Sequence, residues 1–143
     1  MNIKVLYHSS GGNTQKIANN IGRALNVTAT SIEDESSAFS EKVDLLFIGD
    51  GIYFGNASKK MRNFISGIDP NMIKNVAVFA THGGKEKIGT IIKELLEKKG
   101  LKVVGTPYVC LGQWLVFSKG HPNEEEVNGA CSYAQQIVEM LKN

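Results

Sequence analysis

Apolar runs and amphipathic segments alternate along this chain from its first residues to its last. Residues 3–7, 43–49 and 76–81 are nearly continuous apolar stretches. A strand with one wet face would alternate, so these read as strands covered on both faces. Two further strand readings fall at 27–32 and 102–111. Helical spacing takes over at 14–25, 58–67, 87–99 and 124–142. In the first of these, Ile17, Ile21, Ala24 and Leu25 share one stripe, and in the third Ile88, Ile91, Ile92, Leu95 and Leu96 do, with Gly100 as the stop signal. The last opens after Asn123, an N-cap residue followed by three glutamates whose charge suits a first turn. Residues 33–42 are the most polar segment, read as a loop or a short irregular helix. Five strands alternating with helices predict one α/β domain over residues 1–143. The expected architecture is a doubly wound, five-stranded parallel sheet of order 2-1-3-4-5, with helices on both faces.

Size and charge narrow the classes of function. The 143 residues, 42% hydrophobic and 21% charged, suffice for a packed core without staples. A net charge of +2, with the basic residues scattered, is too balanced to point to nucleic acid. No stretch reaches the length of a membrane span, and the start Met-Asn-Ile-Lys-Val lacks a secretory core, so the cytoplasm is the expected location. Cys110 and Cys131 are expected to be free thiols, buried as small hydrophobes rather than paired.

Sheets of this class bind ligands outside the carboxyl ends of their strands, where the strand order reverses. After the first strand come Ser9, Ser10, Gly11, Gly12, Asn13 and Thr14, six small or hydroxyl residues without a charge. Leading into a helix, they gather backbone N–H groups and hydroxyls where the helix dipole favours an anion. Only His8 and Lys16 flank the turn, so the anion it suits is small, such as one phosphate. After the third strand come Ile52, Tyr53, Phe54, Gly55 and Asn56, apolar and aromatic where a surface loop is normally polar. A flat ring resting there would explain them. Thr81, His82, Gly83 and Gly84 follow the fourth strand, and Trp114 follows the fifth. A phosphate cradle beside an aromatic, glycine-flanked loop matches flavin mononucleotide (FMN).

The chain resembles a flavodoxin over essentially its whole length. Gly12-Asn13-Thr14 fits the Gly-Asn-Thr ending of the flavodoxin phosphate loop, although Gly11 stands where a Thr is usual and Ser10 is the neighbour able to replace its hydroxyl. The resemblance implies that Ser9, Ser10 and Thr14 donate to the phosphate with the backbone N–H groups of residues 10–14. It implies that Tyr53 or Phe54 packs on the ring, and that the Gly55–Asn56 peptide turns its carbonyl toward N5 of the reduced flavin. It also implies that residues 81–84 donate to N1, O2 and N3. His82 and Gly84 stand where many flavodoxins stack a Trp or Tyr, so Trp114 is a candidate flavin-edge residue, equally readable as partner surface or plain packing. Met61 and Phe64, three apart on a helix, read as core. His82 reads as structural, His121 as a loop residue. No catalytic side chain and no metal ligand follow, because in flavodoxins the flavin performs the chemistry.

The function so implied is non-covalent FMN binding and single-electron transfer between redox partner proteins, by a monomer. Three alternatives compete. Phe54-Gly55-Asn56 with Met61-Arg62-Asn63-Phe64 is also similar to the flavodoxin-like NAD(P)H:quinone oxidoreductases, yet no dinucleotide fingerprint is present. Cys110-x-Gly112 with Lys119-Gly120-His121-Pro122 is similar to flavodoxin-family proteins of uncertain role. Asp50 lies where a phospho-receiver keeps its acceptor, but Ser9-Ser10-Gly11 replaces the carboxylates that a receiver needs for Mg²⁺. The remaining alternative, after the reductase and the receiver, is a module of this fold that no longer binds FMN, against which the full cradle argues.

Charge sets one expectation apart from the acidic carriers that the family resemblance brings to mind. Lys85 and Lys87 flank Glu86 beside the expected ring, and the chain is net basic. Less negative charge opposes addition of the second electron less. The potential for full reduction is expected to be less negative than in strongly acidic flavodoxins. A spectroelectrochemical titration that returned an equally low value would refute this.

Overall fold

A computed structural model describes residues 1–34, 37–51, 55–82, 87–113 and 119–143. Five strands form one parallel sheet: β1 (Ile3–Tyr7), β2 (Ala29–Ser31), β3 (Leu45–Gly51), β4 (Val76–His82) and β5 (Tyr108–Leu111). Their order is β2-β1-β3-β4-β5, the expected one. The helices are α1 (Asn13–Leu25), α2 (Lys59–Ser66), α3 (Ile88–Lys98) and α4 (Glu124–Lys142), with a short 3-10 turn at Pro70–Met72.

The apolar runs do what their pattern requires. Every residue of β3 and β4 is buried. Because successive side chains point to opposite faces, Leu6, Leu46, Ile48, Val76 and Val78 enter one core with Met61 and Ile65 of α2 and Ile92 and Leu96 of α3. Val5, Tyr7, Leu45, Phe47 and Phe79 enter the other, with Ile17, Ala18 and Ile21 of α1 and Ala130, Ala134 and Ile137 of α4. Met61 is core, as its spacing implies, and Phe64 packs partly buried against that same cluster. Cys110 and Cys131 are both free thiols; Cys110 is buried and Cys131 only half-buried.

Three boundaries differ from the expected ones, each for a physical reason. The expected strand at 102–111 is a strand only over Tyr108–Leu111, with Val103 reduced to an isolated bridge to Val76. Gly105 at φ 71 turns the chain out of the extended region, and Pro107 has no N–H for the ladder. The expected strand at 27–32 shortens to Ala29–Ser31, an edge strand bonded on one side to Val5–Tyr7. The third strand begins two residues later than expected and runs through Asp50 and Gly51, which pair with Ala80 and Thr81.

Gly49 shows how tightly the centre is filled. It lies beside Phe79 in the register of β3 and β4, and a Cβ there would sit 2.1 Å from the Phe79 ring. Gly49→Ala is therefore expected to destabilise the fold by about 1–3 kcal/mol through overpacking. Adding Phe79→Leu should restore part of that loss. Urea unfolding of the two single variants and the double variant checks the coupling, and additive effects would contradict it.

Candidate functional site

The carboxyl ends of β1, β3, β4 and β5 open along one edge of the sheet, and the turn from β1 into α1 lies there. Gly12 sits at the helix N-cap with φ 89, a left-handed conformation natural to glycine, and no side chain caps the helix. The first intrahelical bond runs from Lys16 N–H to the Gly12 carbonyl at 3.0 Å. The N–H groups of Asn13, Thr14 and Gln15 precede it and have no helical acceptor. The first turn carries no acidic residue. Ser10, Gly11 and Gly12 are exposed, and a Cβ at Gly11 or Gly12 would meet nothing within 4 Å. This is an uncapped, uncharged helix start opening on free space, a setting that favours an anion.

Neighbouring side chains hold the turn in place. Ser9 Oγ accepts from Gly12 N–H at 3.0 Å. Thr14, 2% exposed, shares a 2.9 Å hydroxyl hydrogen bond with Thr81. If Thr81 is the donor, the Thr14 hydrogen is left for a further acceptor. Asn13 Nδ2 donates to the Gln113 carbonyl at 2.7 Å, and Lys16 Nζ donates to the Pro122 carbonyl at 2.7 Å. Thr81 and His82 lie within β4 rather than in the loop after it, both buried. The Thr81 backbone pairs in the sheet with Gly51 and Cys110.

At the end of β3 the buried carboxylate of Asp50, 0% exposed, closes a loop. Its Oδ1 accepts from Gly51 N–H at 2.8 Å, and its Oδ2 accepts from Ser58 N–H at 2.8 Å. His8 Nδ1 lies 3.0 Å from Oδ1. Burial pushes the Asp50 carboxyl up from its ordinary value, against the opposing hydrogen bonds from Ser58, His8 and Gly51. A fully buried carboxylate with both oxygens engaged is no phospho-acceptor, which removes the receiver alternative. Between these anchors Gly55 has φ 80 and faces open space, and Asn56 accepts from Ala57 N–H at 2.8 Å through its side chain. Ile52, Tyr53, Phe54, Gly83, Gly84 and Trp114 lie outside the described residues.

A second hub holds the segment between β5 and α4. Glu126 Oε1 accepts from Asn123 N–H at 2.9 Å and contacts His121 Nδ1, while Oε2 accepts from Leu111 N–H at 2.9 Å. Asn123 Oδ1 accepts in return from Glu126 N–H, completing a capping box. His121 is thus a loop residue, as expected, but one tied to the start of α4. The Gln113 N–H donates to the His121 carbonyl at 2.9 Å. Partial burial would raise the Glu126 carboxyl, but hydrogen bonds from Asn123, His121 and Leu111 outweigh it and hold it below the ordinary value. Burial pushes the Cys110 thiol up to about 12, so it is not a thiolate at neutral pH.

Asp50 and Glu126 as hubs went unremarked in the sequence, although signals for both exist there. One acidic residue ends a continuous apolar run, and Asn123-x-x-Glu126 has capping-box spacing.

Comparison with known proteins agrees with this geometry. The family described as flavodoxin domain matches residues 4–112. An uncharacterized protein of Methanocaldococcus jannaschii is 31% identical over 145 residues, covering 94% of each chain. A flavodoxin from the domain Archaea superposes with a TM-score of 0.81 at 20% identity, covering 100% of both chains. Oxidised flavodoxin 2 from Bacillus cereus gives 0.72 at 22% identity, covering 98% of this chain and 99% of that one.

The Glu126 hub yields a pH test. A carboxyl held below its unfolded value contributes stability above the ordinary carboxylate range and loses it as pH falls through that range. Glu126→Gln is expected to be less stable than the parent at pH 7, with the gap closing toward pH 3. Thermal unfolding across that range checks this, and a gap that stayed constant would contradict it. On its match over residues 4–112 and its sheet order, the chain belongs to the flavodoxin family.

Proposed function

We propose that this protein holds FMN non-covalently at the carboxyl edge of its sheet and passes single electrons between redox partner proteins, as a monomer in the cytoplasm. The observation that carries the proposal is the start of α1: N–H groups without helical acceptors, no first-turn acid, and open space at Gly11 and Gly12. These features fit a phosphate monoester, which needs several donors converging on one point. Among the described residues no helix is long and apolar enough to cross a membrane.

In this reading Ser9, Ser10, Gly11, Gly12, Asn13 and Thr14 hold the phosphate. Ser9 orders the turn by taking the Gly12 N–H, and Thr81 orients the Thr14 hydroxyl. Gly55 and Asn56, with Ile52, Tyr53 and Phe54, are the residues assigned to the ring, and the positive φ of Gly55 suits a peptide that must turn its carbonyl. His82, Gly83, Gly84 and Trp114 are the remaining residues assigned to the flavin. Bound flavin supplies the electron transfer, and the protein supplies binding, orientation and electrostatics.

Titration of the purified protein is expected to show FMN binding at least roughly tenfold tighter than riboflavin, the worth of the charge-assisted phosphate hydrogen bonds. Gly11→Asp puts a carboxylate into open space at the cradle. It should weaken FMN by a similar factor while leaving the FMN-free protein at least as stable in thermal unfolding, since a helix start favours a nearby carboxylate. Equal affinity for FMN and riboflavin would refute the phosphate assignment. Rapid reduction by NADH or NADPH in stopped-flow mixing would favour the reductase alternative over a carrier.

A further inference from the structure

We propose that His8 and Asp50 form the positioning and charge-setting pair of the FMN site, Asp50 fixing the ring-facing loop and the His8 imidazolium supplying the positive charge absent from the phosphate turn. This rests on the FMN reading above.

Asp50 binds Gly51 N–H and Ser58 N–H, so one carboxylate gathers both ends of the loop that carries Gly55 and Asn56. Ser58 is also the N-cap of α2 and accepts from Met61 N–H at 3.0 Å. One buried carboxylate thus ties the end of β3 to the start of α2, and Arg62 Nε adds a 3.3 Å hydrogen bond to the Ala57 carbonyl. An amide at this position would turn an NH₂ toward an N–H donor, which no rotation of the side chain avoids.

His8 is the last residue before the phosphate turn, and its N–H donates to the Gly49 carbonyl at 3.0 Å. The charged groups that face its ring from the described elements are Asp50 of β3 and Glu33, which follows β2, with Lys60 of α2 behind Glu33. Nδ1 stands 3.0 Å from Asp50 Oδ1, and Nε2 stands 3.7 Å from Glu33 Oε1. Lys60 Nζ lies 3.0 Å from Glu33 Oε2. With a carboxylate at each ring nitrogen, the doubly protonated ring matches both neighbours. A neutral ring has one N–H and turns a lone pair toward the other carboxylate.

The charge count gives the consequence. With His8 protonated, the set His8, Asp50, Glu33 and Lys60 sums to zero. With His8 neutral it carries one negative charge beside a site meant for an anion. Lys16, the other flanking cation, has its ammonium on the Pro122 carbonyl. An anionic ligand therefore favours the imidazolium, and by reciprocity the imidazolium favours the ligand. Binding takes up protons, and affinity falls as pH rises.

The test is calorimetric titration of the FMN-free protein with FMN in non-phosphate buffers of contrasting ionisation heat, from pH 6 to pH 8. The parent is expected to take up more protons per FMN bound than His8→Gln. Its dissociation constant should rise roughly threefold or more across that range relative to the variant, the scale of one partly screened charge. The titration of the phosphate in free FMN is common to both proteins, so a difference between them reports the His8 charge. Glu33→Gln, at a half-exposed side chain, is expected to shift the profile to lower pH, and it carries the test if His8→Gln does not fold. Equal proton counts in the parent and both variants, with FMN still bound, overturn this proposal alone. Absence of FMN binding to the parent overturns the cofactor reading and this one with it.

Discussion

The seven residues of β3 have no exposed member, and that burial constrains the rest of the molecule. Flanked by parallel neighbours and covered by helices on both faces, the strand can carry polar chemistry only where it leaves the sheet. Asp50 stands at that point. A carboxylate without water there needs donors, and the fold supplies them from His8 just after β1, from the next residue, Gly51, and from the start of α2. The same donors fix the geometry of the loop beyond the strand. Burial of the core and placement of the site are thus one constraint acting at two positions.

The carboxyl edge is held by ties between residues far apart in the chain. Thr14 meets Thr81, His8 meets Asp50, and Glu126 reaches back to Leu111. The first two ties satisfy buried polar groups that would otherwise be unpaired, and the third is part-buried. The N–H groups that open α1 have no helical acceptor, and they open where Gly11 and Gly12 leave space.

Legibility varied with the kind of signal. Continuous apolar runs located β1, β3 and β4, because a strand buried on both faces has no other composition available to it. The helices fell within a residue of their expected bounds, since a 3.6-residue stripe and a cap such as Asn123 are local features. Strand ends at the sheet margin were less readable. Residues 102–107 are apolar enough for a strand, but Gly105 and Pro107 decide otherwise through backbone geometry. At the site, the uncharged turn Ser9–Thr14 was visible as a turn, whereas its clasp to Thr81 lies 67 positions away and leaves no local trace.

The sequence by itself determined the alternation of strand and helix, the two buried faces and the hydroxyl-rich helix start, because each rests on the periodicity or chemistry of neighbouring residues. Tertiary structure alone decided that Asp50 is buried rather than displayed, that His8 stands between two carboxylates, and that Glu126 locks the last loop to β5. Those facts depend on which strands lie side by side, and only packing of the whole sheet brings such distant groups within hydrogen-bond reach.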